Sequence, residues 1–420
     1  MFTKKFYNMV YNECSKGGGS MKDWKRVIYL VCLIQVGAGI ALMGVMSFLP
    51  LFLSELGLSD PGESAFWAGL ITGVTPFMIA LSAPFWSIQA DRRGPKTMMT
   101  VVLSAVSLCI LASAFTQAPW QLLILRTIQG LVGGFVPIGL SIVVSVTPEE
   151  KTSWSMGYFQ AAMVVGIMVG PLIGGAIADT IGYRMPFFFF GSLSLLCLLA
   201  VRLFMPGIHR KGASKEKGST WGQIVYFMKI PRVRIMTFTQ FLCNFGITGI
   251  GPILPLYIKQ MMGSDSEAVA TTVGFIIFIS GGCSALMSLN VGRLTQRFRP
   301  HKILVAATIF VGFDFIMQYF MTSVTGLGCW RAITGLGMGP IGPCTNTILA
   351  ASVPPEKRSI VFGVVSSIFL MGNVAGPVCS GALARWFGYP TVFWTTAIAF
   401  FLAAGFIIYN FRGDSQGKKL

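Results

Sequence analysis

Three ionisable residues interrupt long apolar segments of the sequence, and a fourth lies at the end of one. Arg126 and Arg331 lie within apolar segments, and Asp314 is the only one of the 15 acidic residues that does so. An arginine at the centre of a membrane costs roughly 2.5–3.5 kcal/mol on insertion scales, so it normally faces a protein partner or a water-filled cavity. We therefore interpret Arg126, Asp314, Arg331 and Asp179 as candidates for proton coupling, with Asp179 as the expected partner of Arg126. The alternatives are a snorkelling side chain for Arg126 and a purely structural ion pair for Asp314.

A short turn between the second and third apolar segments combines one acid with several bases. Its sequence is Asp91-Arg92-Arg93-Gly94-Pro95-Lys96. Charges in such a turn can lock helices together in one state and release them in another. A merely basic loop would account for the arginines and the lysine, but not for Asp91 or Gly94. We expect Asp91, Arg92, Gly94 and Lys96 to form a gating turn in which Asp91 is the conformational latch.

Five small or helix-bending residues recur at helical spacing in the fifth apolar segment. The pattern is Gly166-x-x-x-Gly170-Pro171-x-x-Gly174-Gly175. Glycines four residues apart let helix backbones touch, and proline bends a helix. We expect this face to lie where the fifth and eighth helices meet. A generic packing face is the alternative.

The composition predicts that these residues are carried by membrane-spanning helices. Hydrophobic residues make up 54% of the chain, charged residues only 11%, and mean hydropathy is +0.70, whereas about a quarter of a soluble domain is charged. Apolar runs of about 20 residues, long enough to cross a ~30 Å hydrocarbon core, recur along the chain. The sequence thus predicts an all-α polytopic membrane protein with twelve spans: 27–49, 66–88, 98–116, 121–146, 154–179, 185–205, 235–258, 269–291, 302–322, 325–350, 359–384 and 389–411.

The two halves of the chain repeat each other at an offset of about 205 residues. Gln35 recurs as Gln240, and Arg126 recurs as Arg331. Transporters commonly build a binding site between two such repeats. We expect two pseudo-symmetric six-helix bundles. The predicted divisions are a disordered cytoplasmic tail (1–21), the first bundle (22–206), a cytoplasmic linker with a short interfacial helix (207–233), the second bundle (234–412) and a cytoplasmic tail (413–420).

Lysine and arginine predict the orientation. With both termini on one side of the membrane, 27 of the 32 basic residues fall in the tails and loops of that side. Basic residues mark the cytoplasmic side. We therefore expect a multi-pass protein of the cell (inner) membrane with both termini in the cytoplasm. The formal net charge of +17 is accounted for by this arrangement, so no nucleic-acid partner is expected.

The turn, the Arg126 segment and the glycine segment, in this order, resemble the three signatures of the major facilitator superfamily. The turn is similar to its G-x-L-A-D-R-x-G-R-K motif, with Ser87, Gln89 and Pro95 departing from the pattern. Leu-x-x-Arg126-x-x-Gln-Gly resembles the proton-linked motif of the fourth span, and the glycine segment resembles the antiporter motif of the fifth. In the second-half copy of the turn, Gln296 replaces the acid, which implies a weaker gate there.

This resemblance implies a twelve-span drug:proton antiporter, as in bacterial multidrug-efflux transporters. Small, mostly lipophilic or cationic compounds would be exported by alternating access. Methionine, aromatic and amide side chains on the central spans suit such compounds, although helix packing alone could explain each of them. The cavity candidates are Gln35, Met43, Met46, Tyr158, Phe159, Gln160, Gln240, Asn244, Phe245 and Asn346.

The sequence also bears on enzymatic activity, cofactors, partners and alternative functions. No phosphate-binding glycine-lysine loop, metal-ligand cluster or nucleophile–base set is present in the sequence, so neither an enzyme nor a cofactor is expected. The expected partners are a small-molecule substrate, protons and the lipid bilayer, and the chain is expected to be a monomer. The alternatives are a sugar or siderophore exporter or importer of the same fold, and a non-transporting membrane receptor or scaffold.

Overall fold

Proline and glycine mark the ends of most helices. Prolines 61, 95, 119, 231 and 300 each begin a helix, where the missing N–H has no intrahelical partner in any case. Gly94 separates the second and third spans with a φ of +85°, a backbone conformation that glycine adopts without strain. The chain can therefore reverse direction at the membrane surface within a single residue.

The computed structural model describes residues 24–58, 60–207, 226–263, 268–354 and 358–411. Within these ranges all regular secondary structure is helical. The first six spans are Trp24–Met43 with its continuations Gly44–Ser47 and Leu49–Glu55, then Pro61–Arg93, Pro95–Ser113, the pair Pro119–Leu131 and Phe135–Val146, Thr152–Ile181, and Met185–Phe204. The last six are the pair Pro231–Ile250 and Leu254–Met262, then Val269–Arg297, Pro300–Tyr319, the pair Val324–Met338 and Ile341–Ala351, Arg358–Phe387, and Thr391–Phe411.

The predicted all-α membrane fold is confirmed. In the described part of the chain, eleven segments are long and apolar enough to cross a membrane. The tenth predicted span is not among them, because Arg331, Asn346 and its glycines and prolines make it less apolar than the other spans. The predicted linker helix lies partly outside the described residues, which omit 208–225, and residues 226–228, which follow that gap, are helical.

The two ends of the bundle are packed differently. We call the end at which the chain enters at Trp24 and leaves at Phe411 the terminal face, and the other end the opposite face. The halves meet through two helix pairs: the second span with the eleventh (the 2–11 interface) and the fifth with the eighth (the 5–8 interface). Near the opposite face these backbones touch. A Cβ on Gly381 would lie 2.7 Å from the Ala65 oxygen, and one on Gly274 would clash with Pro171.

Toward the terminal face the same helices separate. A Cβ on Gly157, Gly292 or Gly363 would have no atom within 4 Å. These residues lie on the fifth, eighth and eleventh spans, close to the terminal face. The structure is therefore closed at the opposite face and open at the terminal face.

The glycine motif of the fifth span packs against two helices, the first span and the eighth. This corrects the expectation that Gly170 and Gly174 face the eighth span. A Cβ on Gly170 would lie 2.8 Å from the Ile40 oxygen, and one on Gly174 would clash with Gly44, both in the first span. Gly175, by contrast, faces the eighth span, at Ala270. Consecutive helical residues point about 100° apart, so adjacent glycines contact different helices.

We expect Gly175→Leu to open the opposite face, because the added side chain must separate the fifth and eighth spans. Overpacking of this kind costs about 1–3 kcal/mol, roughly five- to a hundredfold in the balance of states. The measurement is maleimide labelling of a cysteine at Ala65, which is fully buried in the 2–11 interface, in a background without the native cysteines. Gly157→Leu, on the same helix but in open space, is the matched control. Equal labelling rates in the two variants would contradict the assignment.

Candidate functional site

Asp314 is the centre of a buried polar cluster between the ninth and tenth spans. Only 2% of its surface is exposed. Its Oδ2 accepts hydrogen bonds from Gln318 Nε2 at 2.7 Å and from Thr334 Oγ1 at 2.5 Å. Among the described residues its Oδ1 has no hydrogen-bond partner. The carboxyl group is therefore held in one orientation with half of its accepting capacity unused.

Arg331 lies beside this cluster and is also buried. It is 7% exposed, and its guanidinium carbon is 5.9 Å from the centre of the Phe315 ring. Its charge interacts with that of Asp314, but its Nε and Nη1 have no hydrogen-bond partner within the described residues. A buried unsatisfied polar group costs about 1–3 kcal/mol. The pair thus lies close together without the direct hydrogen bonds that would lock it.

The equivalent place in the first half holds an arginine without a carboxylate. Arg126 is 7% exposed and donates from Nη1 to Gln129 Oε1 at 2.9 Å. At the 205-residue offset the position of Asp314 is occupied by Cys109, which is also buried. Gln129 corresponds in the same way to Thr334. Cys109, Gln318 and Thr334 were missed from the sequence, although the repeat offset and the four-residue spacing of Asp314 and Gln318 point to them.

Asp179 does not pair with Arg126, which corrects that expectation. Its carboxylate accepts hydrogen bonds from the backbone N–H groups of Ala270 at 3.2 Å and Thr271 at 2.6 Å. These groups begin the eighth span, and a helix N-terminus carries a partial positive charge. The side chain at the end of the fifth span is directed across the 5–8 interface instead of back into its own half. Asp179 therefore joins the two halves at the opposite face.

The 2–11 interface is closed by different groups. Arg385, at the position equivalent to Asp179, has its guanidinium carbon 5.6 Å from the centre of the Phe66 ring. The Tyr389 hydroxyl donates to the Pro61 oxygen at 3.0 Å. Burial and the charge of Asp60 raise the pKa of Tyr389, which lies outside the spans, to about 12. This hydroxyl consequently remains a donor throughout the physiological pH range.

The predicted gating turn is described only in part. The side chain of Asp91 lies outside the described residues, so its role as a latch stays a prediction. Arg92 is exposed at the end of the second span. The Lys96 ammonium donates to the Met205 oxygen at the end of the sixth span. Lys96 thus holds the third span to the sixth within the first half.

The predicted cavity residues fall into three groups by exposure. Gln160 and Asn346 are exposed, as is Tyr158, whose ring is 4.2 Å from that of Trp154 in an aromatic cluster typical of a membrane interface. Phe159 and Asn244 are buried and do not line open space in this conformation. Asn244 Nδ2 instead donates to Phe369 O at 2.9 Å and Asn373 Oδ1 at 2.5 Å, joining the seventh and eleventh spans. Gln35 is also buried, whereas Met43, Met46, Gln240 and Phe245 are half-buried.

Phe159 is buried for a packing reason. A Cβ on Gly139 of the fourth span would lie 2.9 Å from its ring. The aromatic side chain therefore fills the space that this glycine leaves between the fourth and fifth spans. Gln35 Oε1 would lie 3.7 Å from the same Cβ, so the first span packs at the same place.

Comparison with known proteins gives the same architecture. Residues 31–328 and 236–419 match the family "Major Facilitator Superfamily". The chain is 33% identical over 376 residues to "Multidrug resistance protein MdtG" of Escherichia fergusonii, covering 89% of this chain and 92% of that protein. It is 32% identical to the protein of the same name from Citrobacter koseri, covering 92% and 94%.

Solved structures agree at the level of the fold. A bacterial homologue of the human lysosomal transporter Spinster, in an inward-facing and occupied conformation, superposes with a TM-score of 0.79 at 17% identity, covering 94% of this chain and 98% of that one. The nucleoside transporter NupG superposes with a TM-score of 0.72 at 14% identity, covering 93% and 100%. Together with the full-length relatives, these matches identify the family. The chain belongs to the Major Facilitator Superfamily of membrane transporters.

Proposed function

We propose that this chain exports small, mostly lipophilic or cationic compounds by alternating access coupled to the proton gradient. The observation that carries the proposal is similarity over about nine-tenths of the chain to proteins named for multidrug resistance. The packing supports the same mechanism, because the halves touch at one face and separate at the other. A substrate could then be taken up at the terminal face and released after the interfaces rearrange.

The terminal face is the cytoplasmic face in this proposal. Its support is the distribution of charge, with 27 of the 32 basic residues on that side. The conformation described here is then inward-open, the state in which an exporter takes up its substrate. The interfaces at the opposite face form the outer gate, and Asp179 contributes the bonds between the fifth and eighth spans.

Asp314 and Arg331 form the coupling site in this proposal. A deprotonated Asp314 attracts Arg331, whereas a protonated one is neutral and leaves the guanidinium without its counter-charge. The tenth span, which carries Arg331, is divided at Gly339 and Pro340, so it can respond to this change by a local movement. Proton binding would thereby change the conformation of the tenth span, which reaches from the opposite face to the terminal face.

Expression in a host that lacks its major efflux pumps should raise resistance to several chemically unrelated lipophilic cations. A protonophore should remove this resistance at concentrations that do not affect growth alone. The measurement is a susceptibility panel together with accumulation of a fluorescent cationic dye. Unchanged susceptibility to every compound, with the protein present in the membrane, would contradict drug export and favour a single-metabolite substrate.

Loss of the Asp179 carboxylate should loosen the outer gate. A helix N-terminal contact of this kind is worth about 0.5–2 kcal/mol, so Asp179→Ala should shift the balance of states roughly two- to thirtyfold toward opening at the opposite face. Cysteine labelling at Ala65 measures that shift. Ser323→Ala removes a cap at the same face but within one half, at Gly326, and should leave labelling unchanged. An equal effect of both substitutions would assign Asp179 to helix stability instead of gating.

Asp314→Asn should separate transport from the proton gradient. The amide keeps the shape of the side chain but cannot exchange a proton, so efflux driven by an imposed pH gradient in proteoliposomes should fall at least about tenfold, as for other essential proton-transfer groups. Exchange of labelled for unlabelled substrate without a gradient should continue. Thr334→Val, which removes a hydrogen bond but keeps the carboxyl group, should retain gradient-driven efflux. Full gradient-driven efflux by Asp314→Asn would exclude this residue as the proton carrier.

A further inference from the structure

An apolar groove opens between the eighth, ninth and tenth spans on the terminal-face half of the second bundle. Its volume is about 680 Å³. Pro340, at the division of the tenth span, lies at one end, and Lys302, in the first turn of the ninth span, lies at the other. Phe310 and Leu336, both largely exposed, line it between these ends. The groove therefore runs from the interior of the membrane to its surface.

In the first half a tryptophan lies beside the division of the fourth span. The Trp86 indole donates to the Leu131 oxygen at 2.6 Å and packs against Gly134 at the division of the fourth span. At the 205-residue offset the corresponding residue is Val291, whose side chain is much smaller than that of tryptophan. Val132 is likewise replaced by Gly337. The second half therefore has smaller side chains than the first at these two positions.

The dimensions and the charge of the groove select its occupant. Lys302 and Phe310 are eight residues apart, about 12 Å along the helix, which is most of the ~15 Å thickness of one hydrocarbon leaflet. Lys302 lines its surface end, Arg297 precedes Lys302 by five residues in the sequence, and no acidic residue occurs between Glu267 and Asp314. An acyl chain fits the apolar part, and an anionic headgroup complements the basic end.

We propose that this groove is a binding site for an anionic phospholipid of the terminal-face leaflet. Its headgroup phosphate lies at Lys302, and one acyl chain lies against Phe310 and Leu336 as far as Pro340. The occupied groove supports the tenth span at its division, on the same helix pair that carries Arg331. The site depends on membrane embedding but not on which compound is transported or which ion drives transport.

Site-specific photo-crosslinking tests the occupant. The photoreactive residue p-benzoyl-phenylalanine replaces Phe310 in the groove or, as the matched control, Leu203. Leu203 is 69% exposed beside the exposed Arg202 at the same face of the sixth span, so it samples lipid near a basic residue without a groove. Bilayers contain phosphatidylglycerol and phosphatidylcholine with identical acyl chains, and the captured lipid is identified by mass spectrometry. Phosphatidylglycerol is expected to be enriched at position 310 relative to position 203, because the groove holds one lipid with its headgroup at Lys302. The part of this enrichment that depends on Lys302 is about fivefold, the effect of one lysine near a lipid surface.

Substitutions at Lys302 and inside the groove test the headgroup site and the acyl-chain site separately. Lys302→Gln should remove the enrichment and Lys302→Arg should keep it, whereas Ala306→Trp should fill the groove and lower capture of both lipids. The photoreactive residue at Leu336 gives a second reading if the Phe310 variant does not fold. Equal lipid ratios at positions 310 and 203, or enrichment that survives Lys302→Gln, would overturn the proposal. Loss of enrichment on adding inorganic phosphate would assign the basic end to a free anion, and would overturn it equally.

Discussion

The structure depends on direct backbone contact between helices that belong to different halves. At the 2–11 interface Gly69 and Gly381 bring two helices together, and at the 5–8 interface Gly175 and Gly274 do the same. Lipid supplies little hydrophobic drive for such contacts, so close packing and hydrogen bonds must hold them. The closed face is stabilised by a few interactions of about 1 kcal/mol each, of which the bonds of Asp179 to the eighth span are one example. A transporter needs this balance, since a much more stable closed face would never open.

The two halves share their helix arrangement, but they differ in the ionisable residues that this arrangement holds. Both halves place an arginine in the same span and pack a glycine-rich helix against their first span. The second half has a carboxylate beside its arginine, because Asp314 stands where the first half has Cys109. The 5–8 interface is closed by an acid on a helix N-terminus, whereas at the 2–11 interface Arg385 stands at the position equivalent to Asp179. The proposed coupling and gating roles therefore each fall on one side of a nearly symmetric pair of halves.

Much of the fold could be predicted from the sequence, because hydropathy and the repeat report where a residue lies along a span. The spans, the two halves and the depth of Arg126 and Asp314 follow from these signals. They do not report the direction in which a side chain points around the helix axis. Asp179 has the depth expected for a partner of Arg126 but faces the eighth span, and Phe159 lies on a central helix but faces Gly139. Direction depends on how neighbouring helices cross, which is set by packing between distant parts of the chain.

The position of Asp314 behind the tenth span is compatible with coupling by electrostatics alone. The carboxyl group lies between the ninth and tenth spans and bonds Thr334, so it need not contact a substrate to influence the helix that carries Arg331. Burial makes the effect large, because charges interact more strongly where water is excluded. The unused oxygen of Asp314 and the unpaired nitrogens of Arg331 leave room for a second arrangement in which these groups bond each other. Gain or loss of one proton at Asp314 could then switch the tenth span between two arrangements. The substrate would be bound by other residues in the space between the halves.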